Sequence, residues 1–150
     1  MSALRVYRDD GLLASALPES RSAGRLAWLG PPLARLVEYG ALLALARLSD
    51  PGSMPFCFAF LAVLAFHHYD SAYRLRIQGA PPPSWVGSAG GGWELRIAVA
   101  LVLALGGVLG GGLLAGAIAL GTLWVGESAA SWARFVRSGG SSAGFDEELE

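Results

Sequence analysis

The densest group of side chains capable of chemistry lies in one short stretch, His67-His68-Tyr69-Asp70-Ser71-Ala72-Tyr73-Arg74-Leu75-Arg76. On a helix, His67, Asp70 and Arg74 project from one side because they are spaced i, i+3 and i+7. Such a group could bind a lipid headgroup or a phosphate, with the arginines as cationic donors and Asp70 orienting His67 or Arg74. The candidate headgroup- or phosphate-binding residues are His67, Asp70, Tyr73, Arg74, Arg76 and Arg96.

The same stretch also fits a simpler interpretation, a helix leaving a membrane. Aromatic rings favour the membrane–water interface, arginines lie beyond it in water, and Asp70 can pair with Arg74 at i+4. A metal site is disfavoured, because the adjacent His67 and His68 point about 100° apart on a helix and cannot easily share an ion. The only cysteine, Cys57, offers no second ligand. We predict no metal and no cofactor.

Glu38 and Glu127 are carboxylates that adjoin apolar helical sequence. Ionisable residues in such positions are functional candidates by default. The alternative is that they pair with Arg35, Arg74 or Arg96. A charge at the centre of a membrane helix costs about 2.5–3.5 kcal/mol, so Glu38 should face the protein interior and not lipid. The candidate ion-pair residues, within the membrane or at its rim, are Arg35, Glu38, Glu94 and Glu127.

No catalytic signature accompanies these residues. The sequence lacks G-x-S-x-G, H-E-x-x-H, a Walker lysine and a paired-cysteine site. The aspartate motif of membrane CDP-alcohol phosphotransferases is missing too, since Asp10-Gly11 is not followed by Ala-Arg and the later aspartates. We therefore predict no catalytic residue. The net charge of −1 provides no bulk basic field for nucleic acid.

An uncharged run from Ile97 to Gly126 indicates what kind of helices must position these residues. A single helix of that length would measure about 45 Å, against a hydrocarbon thickness of roughly 30 Å. Gly106-Gly107-Val108-Leu109-Gly110-Gly111-Gly112 lies in its middle and predicts a hairpin between two membrane helices. Hydrophobic residues form 53% of the chain and charged residues only 15%, which favours a membrane protein over a soluble one.

The sequence predicts an all-α integral membrane protein with four transmembrane helices. Pro31-Pro32 opens the first helix, and Ser49-Asp50-Pro51-Gly52 ends it. Ser53 can cap the second, which ends at Gly79 before three prolines. A proline- and glycine-rich loop, Gly79 to Gly92, leads to the third. The predicted helices cover about 32–48, 54–78, 93–108 and 111–137.

Arginine placement predicts an orientation. Ten of the eleven arginines lie on the side of the two termini, and only Arg47 lies on the other. The positive-inside rule then places both termini in the cytoplasm and the protein in the inner membrane. We divide the chain into a cytoplasmic or interfacial segment (1–30), the transmembrane domain (31–137) and a disordered acidic tail (138–150).

Glycines spaced four residues apart predict close helix packing. Gly106 and Gly110, like Gly112 and Gly116, have the small-xxx-small spacing that lets membrane helices approach each other. Some of these glycines must also form the hairpin turn. A homodimer face is the alternative use of the same pattern.

Several stretches together resemble a known domain. The sequence is similar, over about residues 8–137, to a bacterial integral-membrane domain of unknown function that often lies C-terminal to a CDP-alcohol phosphatidyltransferase module. The stretches are Asp10-Gly11-Leu12-Leu13, Pro31-Pro32-Leu33 through Glu38-Tyr39-Gly40, His68-Tyr69-Asp70 through Tyr73-Arg74-Leu75-Arg76, Gly92-Trp93-Glu94-Leu95-Arg96, and Glu127-Ser128 before Trp132. The resemblance implies a membrane partner in phospholipid or polar-lipid head-group transfer and supplies no catalytic residue.

Three functions remain open at this point. The first is a non-catalytic membrane module beside a CDP-alcohol phosphatidyltransferase-like enzyme, with its arginine-rich rim near anionic headgroups. The second is a small enzyme or a binding protein that uses the cluster around His67, Asp70 and Arg74. The third, a channel or transporter subunit, is disfavoured because few polar residues recur through the predicted membrane interior.

Overall fold

The computed structural model describes residues 30–79 and 81–138, and every regular element within them is helical. The helices are α1 (Gly30–Ser49), α2 (Met54–Gln78), α3 (Ser84–Ala89), α4 (Gly92–Leu105) and α5 (Leu109–Arg137). The all-α prediction is thus confirmed for this part of the chain. The predicted segment 1–30, apart from its last residue, and the predicted tail from 139 onward lie outside the described residues.

The corner between α1 and α2 is a short 3₁₀ turn, Pro51–Ser53. The Asp50 carboxylate accepts a hydrogen bond from the backbone N–H of Gly52 at 3.0 Å, which stabilises the turn. Ser53 occupies the N-cap position of α2, as predicted, but its side chain makes no capping hydrogen bond: its hydroxyl donates to the backbone carbonyl of Asp50 at 2.7 Å. The 3₁₀ turn leads directly into α2, and this leaves Ser53 with helical backbone angles unsuited to a capping hydrogen bond.

The hairpin between α4 and α5 lies where the glycines predict it, but it is shorter. Only Gly106, Gly107 and Val108 form the turn, and Gly107 has the positive φ, 68°, that favours glycine. The later glycines of the run belong to the first turn of α5. The predicted boundaries at 108 and 111 are corrected accordingly to Leu105 and Leu109.

The connection between α2 and α4 contains the short helix α3, where the sequence predicted only a loop. This helix follows Pro83 and ends at Gly90, and the two glycines after that have positive φ values near 70°. The indole N–H of Trp124 on α5 donates to the backbone carbonyl of Val86 at 3.1 Å. α3 is therefore fixed against the bundle by a buried hydrogen bond that its own sequence does not reveal.

The four longer helices form an up-and-down bundle, in which α2 lies against α5, parallel to it, and α1 lies mainly against α4, also parallel to it. Its core is small and apolar, including Leu42, Cys57, Leu64, Leu113 and Trp124. The turns at residues 49–53 and 106–108 lie at one end of the bundle, which we call the turn end. The other end, where α2 and α5 finish and α4 begins, is the charged end.

Three helical segments of the described chain are long and apolar enough to cross a membrane, namely Pro51–Gln78, Ser84–Leu105 and Leu109–Arg137. α1 has sufficient length for a span but carries Arg35, Glu38 and Arg47. Many large apolar side chains on the outer faces of these helices are exposed, among them Leu36, Val102, Leu105 and Ile118. Such an outer surface suits a hydrocarbon solvent.

Candidate functional site

The guanidinium group of Arg74 is the centre of a buried ion-pair cluster that joins α2 to α5. Arg74 is only 2% exposed. Its Nη1 and Nη2 donate to the two carboxylate oxygens of Glu127 at 3.1 and 2.6 Å, which is bidentate geometry. Its Nε lies 2.8 Å from Oδ2 of Asp70, one helical turn earlier on α2. Arginine suits this position because its planar fork serves two carboxylates at once.

The Asp70 carboxylate is held in turn by side chains of α5. Its Oδ1 accepts a hydrogen bond from the hydroxyl of Ser128 at 2.7 Å and a longer one from the indole N–H of Trp132 at 3.4 Å. Asp70, Arg74, Glu127, Ser128 and Trp132 are called the Arg74 cluster below. Both Glu127 oxygens and Asp70 Oδ1 accept hydrogen bonds within the cluster, and Asp70 Oδ2 is in ion-pair contact with Arg74 Nε. These contacts offset the cost of burying the charges.

His67 lies one turn deeper along α2 and packs on an aromatic ring. Its imidazole stacks on the indole of Trp124 with ring centroids 4.1 Å apart and planes 15° from parallel. The neighbouring His68 faces α1, where its Nδ1 is 3.1 Å from the Tyr39 hydroxyl. The two histidines therefore serve different helix contacts, in agreement with their separation around the helix.

The outer rim of the charged end is aromatic and basic. The Tyr73 ring stacks with that of Tyr69 at 5.6 Å and lies 5.9 Å from that of Trp132. Arg76 is exposed, and Arg134 is mostly exposed, with its Nη2 3.8 Å from Glu127. Aromatic rings beside arginines are typical of the membrane–water interface.

A second buried cluster joins α1 to α4. Glu38 is fully buried; its Oε1 accepts from Arg96 Nε at 2.6 Å and its Oε2 from Arg35 Nη1 at 3.1 Å. Arg96 Nη1 also donates to the backbone carbonyl of Gly90 at 3.2 Å. Glu38, Arg35 and Arg96 are called the Glu38 cluster below. Glu94 lies half-buried in the first turn of α4.

The predicted headgroup-binding residues are thus divided among three places. His67, Asp70 and Arg74 share one side of α2, as their spacing predicts, and that side faces α5 rather than solvent. Tyr73 and Arg76 lie on the exposed rim. Arg96 belongs to the Glu38 cluster, on the other pair of helices.

The predicted packing glycines lie mostly against neighbours within this chain. A Cβ at Gly110 would be 3.2 Å from the Phe56 ring, and one at Gly116 would be 3.1 Å from the Phe60 ring, both on α2. A Cβ at Gly112 would collide with the Leu103 side chain of α4. Gly106 lies in the hairpin turn. The absence of side chains at these positions lets α5 approach its two neighbours closely.

Sequence reasoning named Glu127 as a possible partner of Arg74 but missed three other side chains of α5 beside it. Trp124, Ser128 and Trp132 are spaced i, i+4 and i+8, so they form one face of α5. That face meets His67 and Asp70 across the parallel α2–α5 contact. The spacing is a signal visible in the sequence, but the register between the two helices is not.

Both clusters consist of ion pairs and hydrogen bonds that join helices. In the Arg74 cluster the Ser128 hydroxyl lies beside the Asp70 carboxylate, and both side chains are buried. Within residues 30–79 and 81–138 no group of three or more His, Cys, Asp or Glu side chains is placed to hold a metal ion.

A family model described as "Family of unknown function (DUF5941)" matches residues 7–148. Neither a curated protein nor a solved structure matches the sequence.

Proposed function

Because this chain belongs to the family of unknown function DUF5941, whose name assigns no activity, we propose a role from its own residues. It is a non-catalytic integral membrane module with four transmembrane helices. One observation carries the proposal: the charges buried inside a bundle with an apolar outer surface are engaged with one another. Charges held in this way join helices and do not act on a substrate.

The Glu38 cluster supports counting α1 as the fourth span. Two of the three charges on α1, Arg35 and Glu38, are neutralised within it. The third, Arg47, lies in the last turn at the turn end, where an arginine can extend to water. The remaining helix is apolar enough to accompany α4 across the bilayer.

The arginine distribution supports cytoplasmic termini in the inner membrane. The charged end carries the exposed Arg76, Arg134 and Arg137, whereas the turn end carries only Arg47. The positive-inside rule assigns the charged end, and with it both termini, to the cytoplasm.

Accessibility of single cysteines tests this topology. In a Cys57→Ser background, Asp50→Cys introduces a thiol at the turn end and Ser138→Cys one at the charged end. An impermeant maleimide should label the Asp50→Cys variant in intact cells and the Ser138→Cys variant only after permeabilisation. Labelling of both from the same side would overturn the four-span arrangement.

The proposed partner is a CDP-alcohol phosphatidyltransferase-like enzyme of phospholipid or polar-lipid head-group transfer. The similarity described under Sequence analysis supports it, as does the aromatic and basic rim at the charged end. Removal of the full chain from cells should lower transferase activity in isolated membranes, and the tagged chain should co-purify with the enzyme. Unchanged activity together with failure to co-purify would contradict the partnership.

A second candidate function is favoured by the exposure of the rim: binding of anionic headgroups by Arg76 and its neighbours. The full chain in lipid nanodiscs containing phosphatidylglycerol tests it. Arg76→Ala should reduce retention of anionic lipid, and Arg47→Ala, at the opposite end, is the matched control. Equal retention in both variants and the wild type would exclude the rim as a headgroup site.

A further inference from the structure

An apolar cavity of about 300 Å³ lies between α4 and α5, away from both ion-pair clusters except at one end. Its walls are α4 around Val99 and Leu103, α5 from Gly112 to Leu120, and the ring of Phe60 from α2. Gly112 and Gly116 are the small residues on its α5 wall. It is called the α4–α5 groove below.

The groove opens to the outside of the bundle. Leu95 and Val99, on its edge, are each about half exposed. Both helices that form it belong to segments apolar enough to cross a membrane. Under the proposed membrane placement the medium at this opening is hydrocarbon, so the groove fills with alkyl chain and not with water.

The length and volume of the groove indicate what kind of molecule can occupy it. The groove extends about 12 Å along α5, from Gly112 to Leu120. A partner helix has a diameter of about 10–12 Å with its side chains, too wide for a cavity of about 300 Å³. A single alkyl chain is thin and unbranched, and it fits a narrow space of this length.

The two ends of the groove differ in polarity. At the end nearest the turns, its lining is the apolar Leu103 beside Gly112. At the other end lie the Arg96 side chain and the backbone of Gly90 and Gly91. Arg96 is already bonded to Glu38. Along α4 these ends lie about 3 and 14 Å from the turn end, so under the proposed placement the groove lies in the half of the hydrocarbon core next to the turns, where one acyl chain of that leaflet lies.

We propose that the α4–α5 groove binds one acyl chain of a membrane phospholipid of the leaflet at the turn end, with the ester end directed toward Leu103 and the methyl end toward Arg96. The proposal rests on the membrane placement given under Proposed function. It adds a bound lipid as a component of the folded module.

Photocrosslinking locates the chain. The full-length protein is reconstituted in nanodiscs with a phosphatidylglycerol that carries a diazirine midway along one acyl chain, and adducts are assigned to residues by tandem mass spectrometry. Val99, Leu103 and Leu120 should carry about ten times the adduct of the exposed Val102 and Ile118 on the same helices, which corresponds to about 1.4 kcal/mol. Equal labelling of both sets would overturn the proposal.

A filling variant with a matched control adds a second measurement. Leu120→Trp puts an indole into the groove, whereas Ile118→Trp puts the same group on the exposed face of the same helix. Leu120→Trp should abolish the preference for the groove and Ile118→Trp should retain it. Should Leu120→Trp not fold, Val99→Trp with Val102→Trp as its control makes the same comparison on α4.

Alkaline extraction of membranes containing the same protein separates the two proposals. A chain that remains in the membrane without preferential groove labelling refutes only the lipid site. A chain released by alkali refutes the membrane placement and the lipid site with it.

Discussion

The two ion-pair clusters have similar chemistry but different positions along the bundle. Glu38 lies about 17 Å along the helix axis from the turn end of α1, and Arg96 lies about 14 Å from the turn end of α4. Arg74 and Glu127 lie about 30 and 27 Å from the turn ends of α2 and α5. Under the proposed placement, with the turn end at one edge of a core about 30 Å thick, the Glu38 cluster would lie at mid-depth and the Arg74 cluster at the interface.

Depth explains why the two clusters are built differently. At mid-depth no water is present to hydrogen-bond to a buried carboxylate. Glu38 is fully buried, and each of its two oxygens is paired with an arginine. At the interface, Arg74 joins two carboxylates, and the exposed Arg134 approaches one of them from outside. Identical ion pairs should therefore contribute unequally to stability, with the deeper one more sensitive to loss of a partner.

Both clusters also join one helical hairpin to the other. In the Glu38 cluster the α1–α2 half supplies the carboxylate and the α4–α5 half supplies Arg96. In the Arg74 cluster the α1–α2 half supplies the arginine and the α4–α5 half supplies Glu127. Neither half alone satisfies all of its own buried charges. The clusters thus specify how the two hairpins dock, which a bundle of small apolar residues would specify only weakly.

The largest effect should come from breaking the deeper cluster. Arg96→Met leaves the Glu38 carboxylate at mid-depth with Arg35 alone, and the loss of unfolding free energy should be about 3–5 kcal/mol. Thermal unfolding of the full chain in nanodiscs measures it. Arg47→Met, at the turn end, is the control and should change the midpoint little. An unchanged midpoint for Arg96→Met would show that the pair is not buried in the folded protein.

Breaking the interfacial cluster should cost less. Arg74→Met leaves Asp70 and Glu127 without their shared cation, but Arg134 lies 3.8 Å from Glu127 and the cluster is next to water under the proposed placement. We expect a loss of about 2–3 kcal/mol, the range for an unsatisfied charged group that solvent can partly reach. The same unfolding assay compares it directly with Arg96→Met. A loss equal to or larger than that of Arg96→Met would refute the assignment of different depths.

Replacing both members of the deep pair should recover most of the loss. The double variant Glu38→Leu/Arg96→Leu buries neither charge, and such exchanges are often neutral for stability. We expect its free energy of unfolding to lie within about 1–2 kcal/mol of the wild-type value, with Arg35 reaching solvent. The comparison is Glu38→Leu alone, which leaves Arg96 without its carboxylate partner. If the double variant is as unstable as the single ones, the pair has a role beyond neutralising itself.

The smallest effect should come from the outer member of the interfacial cluster. Arg134→Ala removes a cation that is largely exposed and 3.8 Å from Glu127. The expected loss is below about 1 kcal/mol and should shrink further as salt is added. Unfolding at low and high ionic strength measures it. A salt-independent loss as large as that for Arg74→Met would mean that Arg134 is part of the buried set.

Much of the fold could be predicted from local sequence signals. The lengths of the uncharged runs and the positions of prolines and glycines predict the helix bounds. The prediction is correct for α2 and within about three residues for α1, α4 and α5. α3 was missed because six residues among prolines and glycines carry too little pattern, and its position depends on the distant Trp124. Ser53 makes no capping hydrogen bond because the 3₁₀ turn before it, which was not foreseen, gives it helical backbone angles.

The site was less predictable than the fold. The spacing of His67, Asp70 and Arg74 correctly put them on one side of a helix, but it could not say whether that side faces water or α5. Glu38 was considered a partner for Arg35, Arg74 or Arg96; choosing among them requires knowing that α1 packs on α4. Partners between helices depend on tertiary register, which a single sequence does not contain.

The shortness of α4 has a consequence for the surrounding lipid. With 14 residues it measures about 21 Å, roughly 9 Å less than the hydrocarbon core, whose thickness the other long helices reach or exceed. Under the proposed placement, hydrophobic mismatch on this flank draws the adjacent leaflet inward, or α3 compensates by lying below the headgroup level. A protein that thins the bilayer on one side only favours curved or disordered lipid there, and this gives the module a preferred orientation toward any neighbour in the membrane.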